Sequence, residues 1–372
     1  MQCRLLCILS TSCPDSTRTM TATQIRQWRT AFDGLDKLWH TTAEMPQPSE
    51  GEVLVKILTV SLNYRDTEVC MGLYNHHKSV DSPQDLVPCS DACGIIVKPG
   101  SSEWKEDQRV MTIFNQTHLT GQVKQKDMSS GLGLPLPGVL SEYMCFDARA
   151  LVAVPDYLSN EEAATLPIAA VTAWMSLNRF RPLNSPADGD VDETVVFQGT
   201  GGVAISGLQI AHAAGLKTII TSSSDQKLDK AKKLGADHGI NYKDNAEWQE
   251  EVTRITRDEG ADIILETGGA QTLRKSFDCA SFGGLISCIG YLSGKEDAPG
   301  LMNTNLLALR RNLTLKGILN GPKDRFEEMC RFYTKHQIHP AIDRVFEFDE
   351  AKDALQYLYS GGHFGKIVIK LA

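Results

Sequence analysis

One short segment restricts the possible folds of this 372-residue chain more than any other, the glycine-rich turn Gly199-Thr200-Gly201-Gly202-Val203. It follows an apolar, strand-like run and opens a helical pattern. The first glycine allows a sharp turn, and the two later glycines let the backbone approach a pyrophosphate without a Cβ in the way. The helix presents unpaired N–H groups and a positive dipole end to phosphates. The segment therefore predicts a unit that binds a dinucleotide through these five residues.

Strand-like and helical patterns alternate from the strand just before this turn onward. The predicted strands are Val195–Phe197, Thr218–Thr221, Asp262–Glu266, Gly284–Ile289 and Leu313–Ile318, and the first two helices are Ala204–Ala214 and Gln226–Leu234. The strands are apolar and alternate poorly, which is typical of a parallel sheet covered on both faces by helices. We therefore predict an α/β fold with a doubly wound parallel (Rossmann) sheet.

The region before this sheet has a different pattern, with strands, loops and few helical segments. We expect a half-buried strand at Glu52–Leu58, where apolar and polar residues alternate. Further short strands are predicted at Gly94–Val97, Arg109–Phe114 and Leu151–Val154, and helices at Ser159–Leu177, Lys323–His336 and Glu350–Tyr359, before a final strand at Lys366–Leu371. The polar loop Asn115–Pro137 is long for a compact domain, so we expect it to be functional and to shape the substrate pocket.

The end of the second predicted strand indicates which dinucleotide is bound. NAD enzymes place Asp or Glu there to bind the ribose 2′-hydroxyl, whereas this strand ends in Ser222 and Ser223. Their hydroxyls can donate to a 2′-phosphate, and Lys227 adds a cation. In the alternative, Ser223 or Ser224 caps the next helix. The carboxylate of Asp225 is compatible with a bound 2′-phosphate only if it faces away from that phosphate. We predict NADPH in preference to NADH.

Several motifs in order along the chain resemble one known group of enzymes. They are Ser61–Asp66, Ala163–Pro167, Thr172–Trp174, Gln198–Val203, Thr221–Asp225, Leu234–His238, Ile240–Tyr242 and His363–Val368. With these motifs the chain resembles the medium-chain dehydrogenase/reductase superfamily, and within it the zinc-type alcohol dehydrogenase-like and quinone oxidoreductase-like proteins. The resemblance extends from about Met20 to the end of the sequence.

This resemblance implies a division into two domains. A mostly-β, GroES-like catalytic domain would comprise residues 20–170 and 320–372, and a Rossmann NADP-binding domain residues 171–319. Residues 1–19 lie outside the resemblance, and we expect them to form a disordered extension. The family also implies homodimers formed through the sheet edge of the nucleotide-binding domain.

The resemblance assigns further residues to the cofactor. Thr172 would contact it near the domain junction, and Tyr242 would pack near the adenine. The loops at Gly268 and Gly290 would border the nicotinamide half. Lys366 would add charge near the phosphates, with an ordinary lysine at a strand edge as the alternative.

Zinc ligands are missing from the positions where zinc-dependent relatives have them. Those relatives place a Cys near the start of the segment Asn63–Asp66, where this chain has Asn63 or Tyr64, and a His-Glu pair in the later stretch that here is Pro88–Gly94. Four closely spaced cysteines for a structural zinc are also missing between Cys93 and Cys145. We therefore predict no zinc. In the alternative, a metal binds to residues close in sequence, Cys70, His76, His77, Cys89 and Cys93.

Without a Lewis acid, hydride transfer to a conjugated acceptor is easier than oxidation of a simple alcohol. The predicted substrates are enones, enals or quinones. By resemblance, Asn63 and Tyr64 face the nicotinamide, and Tyr74 lies ten residues after Tyr64. An amide or a phenol can donate to a carbonyl oxygen, and a phenol can protonate an enolate. In the alternative, each tyrosine is a pocket wall, and Asp66 is expected to hold its loop.

Charge and composition exclude other classes of function. The net charge of −8 with scattered Lys and Arg argues against nucleic-acid or anionic-membrane partners, which leaves a small-molecule substrate. The apolar stretch Leu5–Leu9 is too short for a secretory signal. Ten dispersed cysteines favour a reducing, cytoplasmic location. Two other functions stay open, a zinc-dependent alcohol dehydrogenase and a non-catalytic NADPH-binding protein.

Overall fold

The computed structural model describes residues 24–74, 83–178, 193–296 and 302–371 of the chain. The predicted extension over residues 1–19 and the pair His76 and His77 lie outside these ranges. Within them, the chain forms a two-stranded, a six-stranded and a seven-stranded sheet, with helices packed against the two larger ones.

The secondary structure alternates between short strands and helices along the chain. The strands are β1 (Gln24–Arg29), β2 (Trp39–Glu44), β3 (Glu52–Ser61), β4 (Asp91–Lys98), β5 (Arg109–Thr112), β6 (Tyr143–Asp147), β7 (Leu151–Ala153), β8 (Thr194–Phe197), β9 (Lys217–Ser222), β10 (His238–Asn241), β11 (Ala261–Glu266), β12 (Ala280–Cys288), β13 (Thr314–Gly317), β14 (Ile342–Glu347) and β15 (Lys366–Lys370). The α-helices are α1 (Tyr64–Cys70), α2 (Gln125–Met128), α3 (Asn160–Ala164), α4 (Val171–Leu177), α5 (Gly202–Ala213), α6 (Asp225–Lys233), α7 (Trp248–Ile255), α8 (Leu273–Cys279), α9 (Thr304–Arg310), α10 (Lys323–His336) and α11 (Ala351–Tyr359).

The six-stranded sheet has the order β10-β9-β8-β11-β12-β13, and every neighbouring pair is parallel. Numbered from β8, this is the order 3-2-1-4-5-6 of a doubly wound sheet. The predicted Rossmann architecture is confirmed. Because helices cover both faces of such a sheet, the run Val195–Phe197 is completely buried and shows no alternation. The order reverses between β8 and β11, the position where ligands bind outside the carboxyl ends of the strands.

The seven-stranded sheet joins the two ends of the described chain. Its order is β14-β15-β3-β4-β5-β7, with β6 also paired to β3. β15 runs antiparallel to β3, with Val368 opposite Ser61. The C-terminal strands therefore belong to the same sheet as the N-terminal ones, while the exact boundaries predicted for the two domains stay a prediction.

The structure corrects the expectation that the strand predicted at Glu52–Leu58, observed as β3, is half-buried. Val53, Leu54 and Val55 are consecutive in β3, and all three are buried. Because consecutive residues of a strand point to opposite faces of the sheet, both faces of β3 are covered here, and α3 is among the elements that pack against it. An alternating sequence pattern therefore underestimated the burial of this strand.

The predicted long helix at Ser159–Leu177 is divided. Ser159 caps the short α3, a π-helical turn follows at Leu166–Ala170, and α4 begins at Val171. Pro167 lies in the π-helical turn, where it has no N–H to donate and its ring hinders a regular α-helical turn. Of the helices described, none combines the length and the apolar character that a membrane span requires.

Candidate active site

The glycine turn lies at the carboxyl end of β8. Gly199 has φ 76°, in the left-handed region that favours glycine. A Cβ added to Gly199 would meet no atom within 4 Å, and one added to Gly201 would meet only His363 Nε2, at 3.9 Å. Gly201 is the N-cap of α5, and Val203 is its second residue. Open space therefore adjoins the unpaired N–H groups of α5, as a bound pyrophosphate requires.

A buried carboxylate fixes the loops at the point where the strand order reverses. Glu266 ends β11, and its side chain accepts hydrogen bonds from groups on two loops and on α8. The donors are Gln198 Nε2 at 2.7 Å, Ser276 Oγ and Thr272 Oγ1 at 2.5 Å each, and the backbone N–H groups of Gly268 and Gly269 at 2.9 Å each. Gly268 therefore borders the same crevice as the glycine turn. Sequence reasoning missed Glu266, although a carboxylate at the carboxyl end of a predicted strand is a usable signal.

The serines predicted to bind the 2′-phosphate lie at the end of β9. Ser222 is buried, and its Oγ accepts the N–H of Ser224 at 3.3 Å, which leaves its hydroxyl proton free to donate. Ser223 is partly exposed. Ser224 caps α6, so the alternative of a helix cap is confirmed for this residue. Asp225 is exposed and accepts a hydrogen bond from the Asn241 amide at 3.0 Å.

Lys227 and Tyr242, which are also predicted at the adenosine end of the site, differ in their surroundings. Lys227 is partly buried, and its ammonium donates to the carbonyl of Gly361 at 3.0 Å. Burial lowers the pKa of Lys227, and the neighbouring Lys230 lowers it further. Tyr242 follows β10 and is 41% exposed. The adenosine end of the candidate site is therefore close to water.

The predicted alternative of an ordinary strand-edge lysine is wrong for Lys366. Its strand, β15, lies between β14 and β3, and the residue is only 4% exposed. Its ammonium donates to Leu62 O at 2.5 Å and to Asn63 Oδ1 at 2.7 Å. Its alkyl chain borders the glycine turn, because a Cβ on Gly202 would lie 2.6 Å from Lys366 Cδ. Lys366 therefore links the turn to the predicted catalytic segment.

Asn63 and its neighbours form a buried network of opposite charges. The Asp66 carboxylate accepts the backbone N–H of Asn63 at 2.8 Å in a capping box of α1, so it holds this loop as expected. Burial raises the pKa of Asp66 to about 6, although Arg65 opposes the change. Burial likewise raises the pKa of Asp91, with Lys366 opposing it. Sequence reasoning missed Asp91, which lies at the start of an otherwise apolar strand.

The Asn63 amide is oriented by two charged groups, whereas the buried hydroxyl of Thr172 has no partner. An ammonium can only donate, so the Asn63 oxygen must face Lys366 and the Asn63 amide nitrogen must point elsewhere. That nitrogen donates to the Asp91 carboxylate, which lowers the pKa of Asp91, while Thr172 Oγ1 is buried and unpartnered. An unsatisfied buried polar group costs about 1–3 kcal/mol. The Thr172 hydroxyl is therefore suited to form a hydrogen bond when the cofactor binds.

A cleft opens beside this network. It is lined by Arg65, Tyr74, Phe114, Asn115, Met128, Gly131, Leu134, Pro135, Ile168 and Leu319. The Arg65 guanidinium carbon lies 4.9 Å from the centre of the Tyr74 ring and 4.7 Å from that of Phe114. Several lining residues belong to the segment Asn115–Pro137, as expected for a loop that shapes the pocket. Arg65 was not among the predicted residues.

Tyr64, the other predicted phenol, lies on α1 beside Glu68 and is 39% exposed. Burial raises the pKa of Tyr64, and the Glu68 carboxylate raises it further. Glu68 also accepts a hydrogen bond from the Tyr291 hydroxyl at 2.5 Å and pairs with Lys295 at 3.2 Å. Tyr291 follows Gly290 in the loop after β12. These contacts join α1 to the loop that follows β12 of the six-stranded sheet.

The described part of the chain contains neither a metal-ligand cluster nor a disulfide. It contains no group of three or more His, Cys, Asp or Glu side chains placed to hold a metal ion. The proposed alternative cluster includes His76 and His77, which lie outside the described residues. The seven cysteines in the described part of the chain form no disulfides; they are Cys70, Cys89, Cys93, Cys145, Cys279, Cys288 and Cys330.

The fold and the site together define a two-domain, NAD(P)-dependent dehydrogenase. A family model described as an alcohol dehydrogenase GroES-like domain matches residues 49–156, and one described as a zinc-binding dehydrogenase matches residues 202–335. The chain is 38% identical to a zinc-type alcohol dehydrogenase-like protein of Schizosaccharomyces pombe, over 91% of this chain and 97% of that protein. It belongs to the medium-chain dehydrogenase/reductase family, and the predicted family and GroES-like domain are confirmed.

Other relatives support this assignment. The structure of an alcohol dehydrogenase from Sinorhizobium meliloti superimposes with a TM-score of 0.84 at 35% identity, over 95% of this chain and all of that one. A 2-methylene-furan-3-one reductase of Solanum lycopersicum is 26% identical, over 95% of this chain and 81% of that protein. The prediction that the chain is an oxidoreductase is therefore confirmed.

Proposed function

We propose that this enzyme is an NADPH-dependent reductase of conjugated carbonyl compounds, such as enones, enals or quinones, and that it works without zinc. The observation that carries the proposal is the Lys366 ammonium, 2.7 Å from Asn63 Oδ1. By the resemblance, Asn63 or Tyr64 stands where zinc-dependent relatives have a cysteine ligand. A metal cation bound at this position would be repelled by the adjacent ammonium and would gain no thiolate.

Three features support NADPH as the cofactor. β9 ends at Ser222 and is followed by Ser223, with no carboxylate at either position, so its end does not repel a 2′-phosphate. Lys227 lies on α6 close to these serines in sequence and supplies a positive charge. Asp225, the nearest carboxylate in sequence, is engaged by Asn241.

When bound, NADPH supplies a hydride to the substrate. The N–H groups at the start of α5 bind the pyrophosphate at the glycine turn. Arg65 and Tyr74 line the cleft, and in this proposal the guanidinium and the phenol stabilise negative charge on a substrate carbonyl oxygen. Lys366 holds the Asn63 amide in one orientation. We assign to Asn63 a positioning role and to Tyr74 Oη the proton that completes the reduction, with Tyr64 at the rim.

The name of the tomato relative supports the substrate class. That name describes a reductase of a methylene-furanone, a ring in which a carbonyl is conjugated to a carbon–carbon double bond. The cleft of this chain places Phe114, Leu134 and Ile168 beside Arg65. An apolar surface with one cation suits a flat, conjugated carbonyl compound.

The experiment is a substrate panel with each nicotinamide. The purified protein is expected to consume NADPH with quinones, enals or enones, faster than NADH, and without loss of activity after treatment with a chelator. The Tyr74→Phe variant should lower kcat by about 10²-fold, in the range of general acid catalysis, while Tyr143→Phe on the remote strand β6 should not.

The other outcomes separate the alternatives. About one zinc per chain, together with activity that a chelator abolishes, would identify a zinc-dependent alcohol dehydrogenase instead. Tight NADPH binding without turnover of any substrate in the panel would favour the non-catalytic binding protein.

We also propose that two copies of the chain associate through β13. This strand is at the edge of the six-stranded sheet, so among the residues that the structure describes one of its sides has no neighbouring strand. Large apolar side chains are exposed nearby, with Phe282 77% and Leu309 78% accessible. Exposed apolar patches of this kind mark association surfaces. Light scattering of the purified protein should give twice the mass of 40.9 kDa calculated for one chain, and a monomer would contradict the proposal.

A further inference from the structure

The segment between α11 and β15 lies directly on the glycine turn. The Gly365 N–H donates to Thr200 O at 2.9 Å, and Gly365 pairs with Gly201 in an isolated parallel bridge. In the same segment, the carbonyl oxygen of Gly361 accepts a hydrogen bond from the Lys227 ammonium at 3.0 Å. The C-terminal segment is therefore fastened both to the predicted pyrophosphate site and to the predicted 2′-phosphate site.

His363 is the side chain of this segment that faces the turn. Its Nε2 is the one atom within 4 Å of the point where a Cβ on Gly201 would lie, at 3.9 Å. Its Nδ1 is buried and has no hydrogen-bond partner. Neither the glycine fingerprint nor the catalytic segment gives this histidine a role.

The charges around His363 come from three elements. Lys227 on α6 and Lys366 on β15 are both positive, and Asp343 on β14 is negative. Burial lowers the pKa of His363 to about 4, and the two lysines lower it further while Asp343 opposes them. In the free protein at neutral pH the imidazole is therefore uncharged, in a field that is positive overall. Such a field attracts an anion.

We propose that His363 binds the pyrophosphate of the dinucleotide, by a hydrogen bond from its imidazole to a phosphate oxygen beside Gly201. This inference rests on the proposed function, since it names a further residue of the same cofactor site. A bound pyrophosphate places negative charge next to the imidazole. That charge opposes the burial of the imidazole and the effect of Lys227 and Lys366, and it raises the pKa of His363, so binding of the nucleotide is coupled to uptake of a proton by His363.

The sign of the pH dependence follows from this coupling. The pKa of His363 is low in the free protein and rises in the complex, so the complex binds the additional proton. Affinity is therefore higher at low pH and declines as the pH rises through the pKa of the complex. If that pKa returns to about 6.5, the dissociation constant at about pH 5.5 should be on the order of tenfold lower than at pH 8.

The experiment measures the dissociation constants of NADH and NADPH by fluorescence titration between about pH 5.5 and 8. NADH isolates the pyrophosphate because it has no 2′-phosphate to titrate. The proteins compared are the wild type, His363→Leu, His363→Gln and the control His339→Leu, whose histidine is exposed and pairs with Glu162. Asp66 also titrates in this range, but equally in all four proteins, so the comparison removes its contribution.

We expect His363→Leu to weaken both nucleotides about tenfold near pH 5.5 and to lose the pH dependence of NADH binding. His363→Gln should recover part of the affinity at pH 8, because its amide can donate, but none of the pH dependence. His339→Leu should behave as the wild type. Urea unfolding of each variant verifies that it is folded.

Two results would overturn the inference. Unchanged affinities and pH dependence in His363→Leu would show that the imidazole does not contact the cofactor. A loss of affinity confined to NADPH would place the imidazole at the 2′-phosphate instead. In both cases the wild type still binds NADPH, so the proposed function survives, whereas a wild type that binds neither nucleotide contradicts the proposed function itself.

Discussion

The two ends of the candidate cofactor site use charge in opposite ways. At the catalytic end, Lys366 and Asp91 are buried, and each lowers the cost of burying the other. At the adenosine end, Asp225 and Tyr242 are exposed, and Lys227 is partly buried. Charges removed from water must be balanced by partners, whereas charges near water are screened. The buried end therefore fixes geometry, and the exposed end adjusts affinity and the choice of nucleotide.

The largest effect is expected at the buried end, for Lys366→Met. The change leaves Asp91 without the cation that opposes its burial and frees the Asn63 amide, while Asp66 keeps Arg65. Breaking a buried ion pair from one side costs about 3–5 kcal/mol, so the free energy of unfolding measured with urea should fall by that amount. The control Lys370→Met removes an exposed lysine from the same strand and should change it by less than about 0.5 kcal/mol. Equal changes in the two variants would erase the contrast between the ends.

An intermediate effect is expected where α1 meets the loop after β12, for Tyr291→Phe. The hydroxyl is lost from Glu68, which keeps Lys295 as its partner. A hydrogen bond to a charged group contributes about 1.5–3 kcal/mol, and we expect its loss to displace α1, which carries Arg65 of the cleft, and to lower kcat/KM by about tenfold. The matched variant Tyr143→Phe should retain wild-type kinetics. A loss of stability with unchanged kinetics would assign Tyr291 to the fold instead of to the site.

The smallest effect is expected at the exposed end, for Lys227→Ala. A partly exposed cation contributes on the order of 1 kcal/mol, so the dissociation constant of NADPH should rise about fivefold and that of NADH less than twofold. Lys233→Ala, which removes an exposed lysine from the same helix, should change neither constant. Equal losses for both nucleotides would show that Lys227 does not read the 2′-phosphate.

Sequence patterns predicted the exposed end of the site better than the buried one. The turn at Gly199–Gly202 and the serine-rich end of β9 are contiguous segments, so their shared position follows from strand order alone. At the buried end, the same reasoning selected Asn63 but missed Arg65 and Asp91. It also placed Lys366 at the phosphates or at a strand edge, whereas the ammonium contacts Asn63.

The sequence by itself determined the parallel sheet, the position of the glycine turn and helices such as Lys323–His336, whose observed bounds equal the predicted ones. Each of these depends on local periodicity or on backbone freedom within a few residues. Only the tertiary structure decided that Lys366 meets Asn63 across 303 residues and that Tyr291 meets Glu68 across 223. A hydrogen bond between residues so far apart leaves no periodic trace in a sequence, because its geometry is set by which distant elements lie side by side.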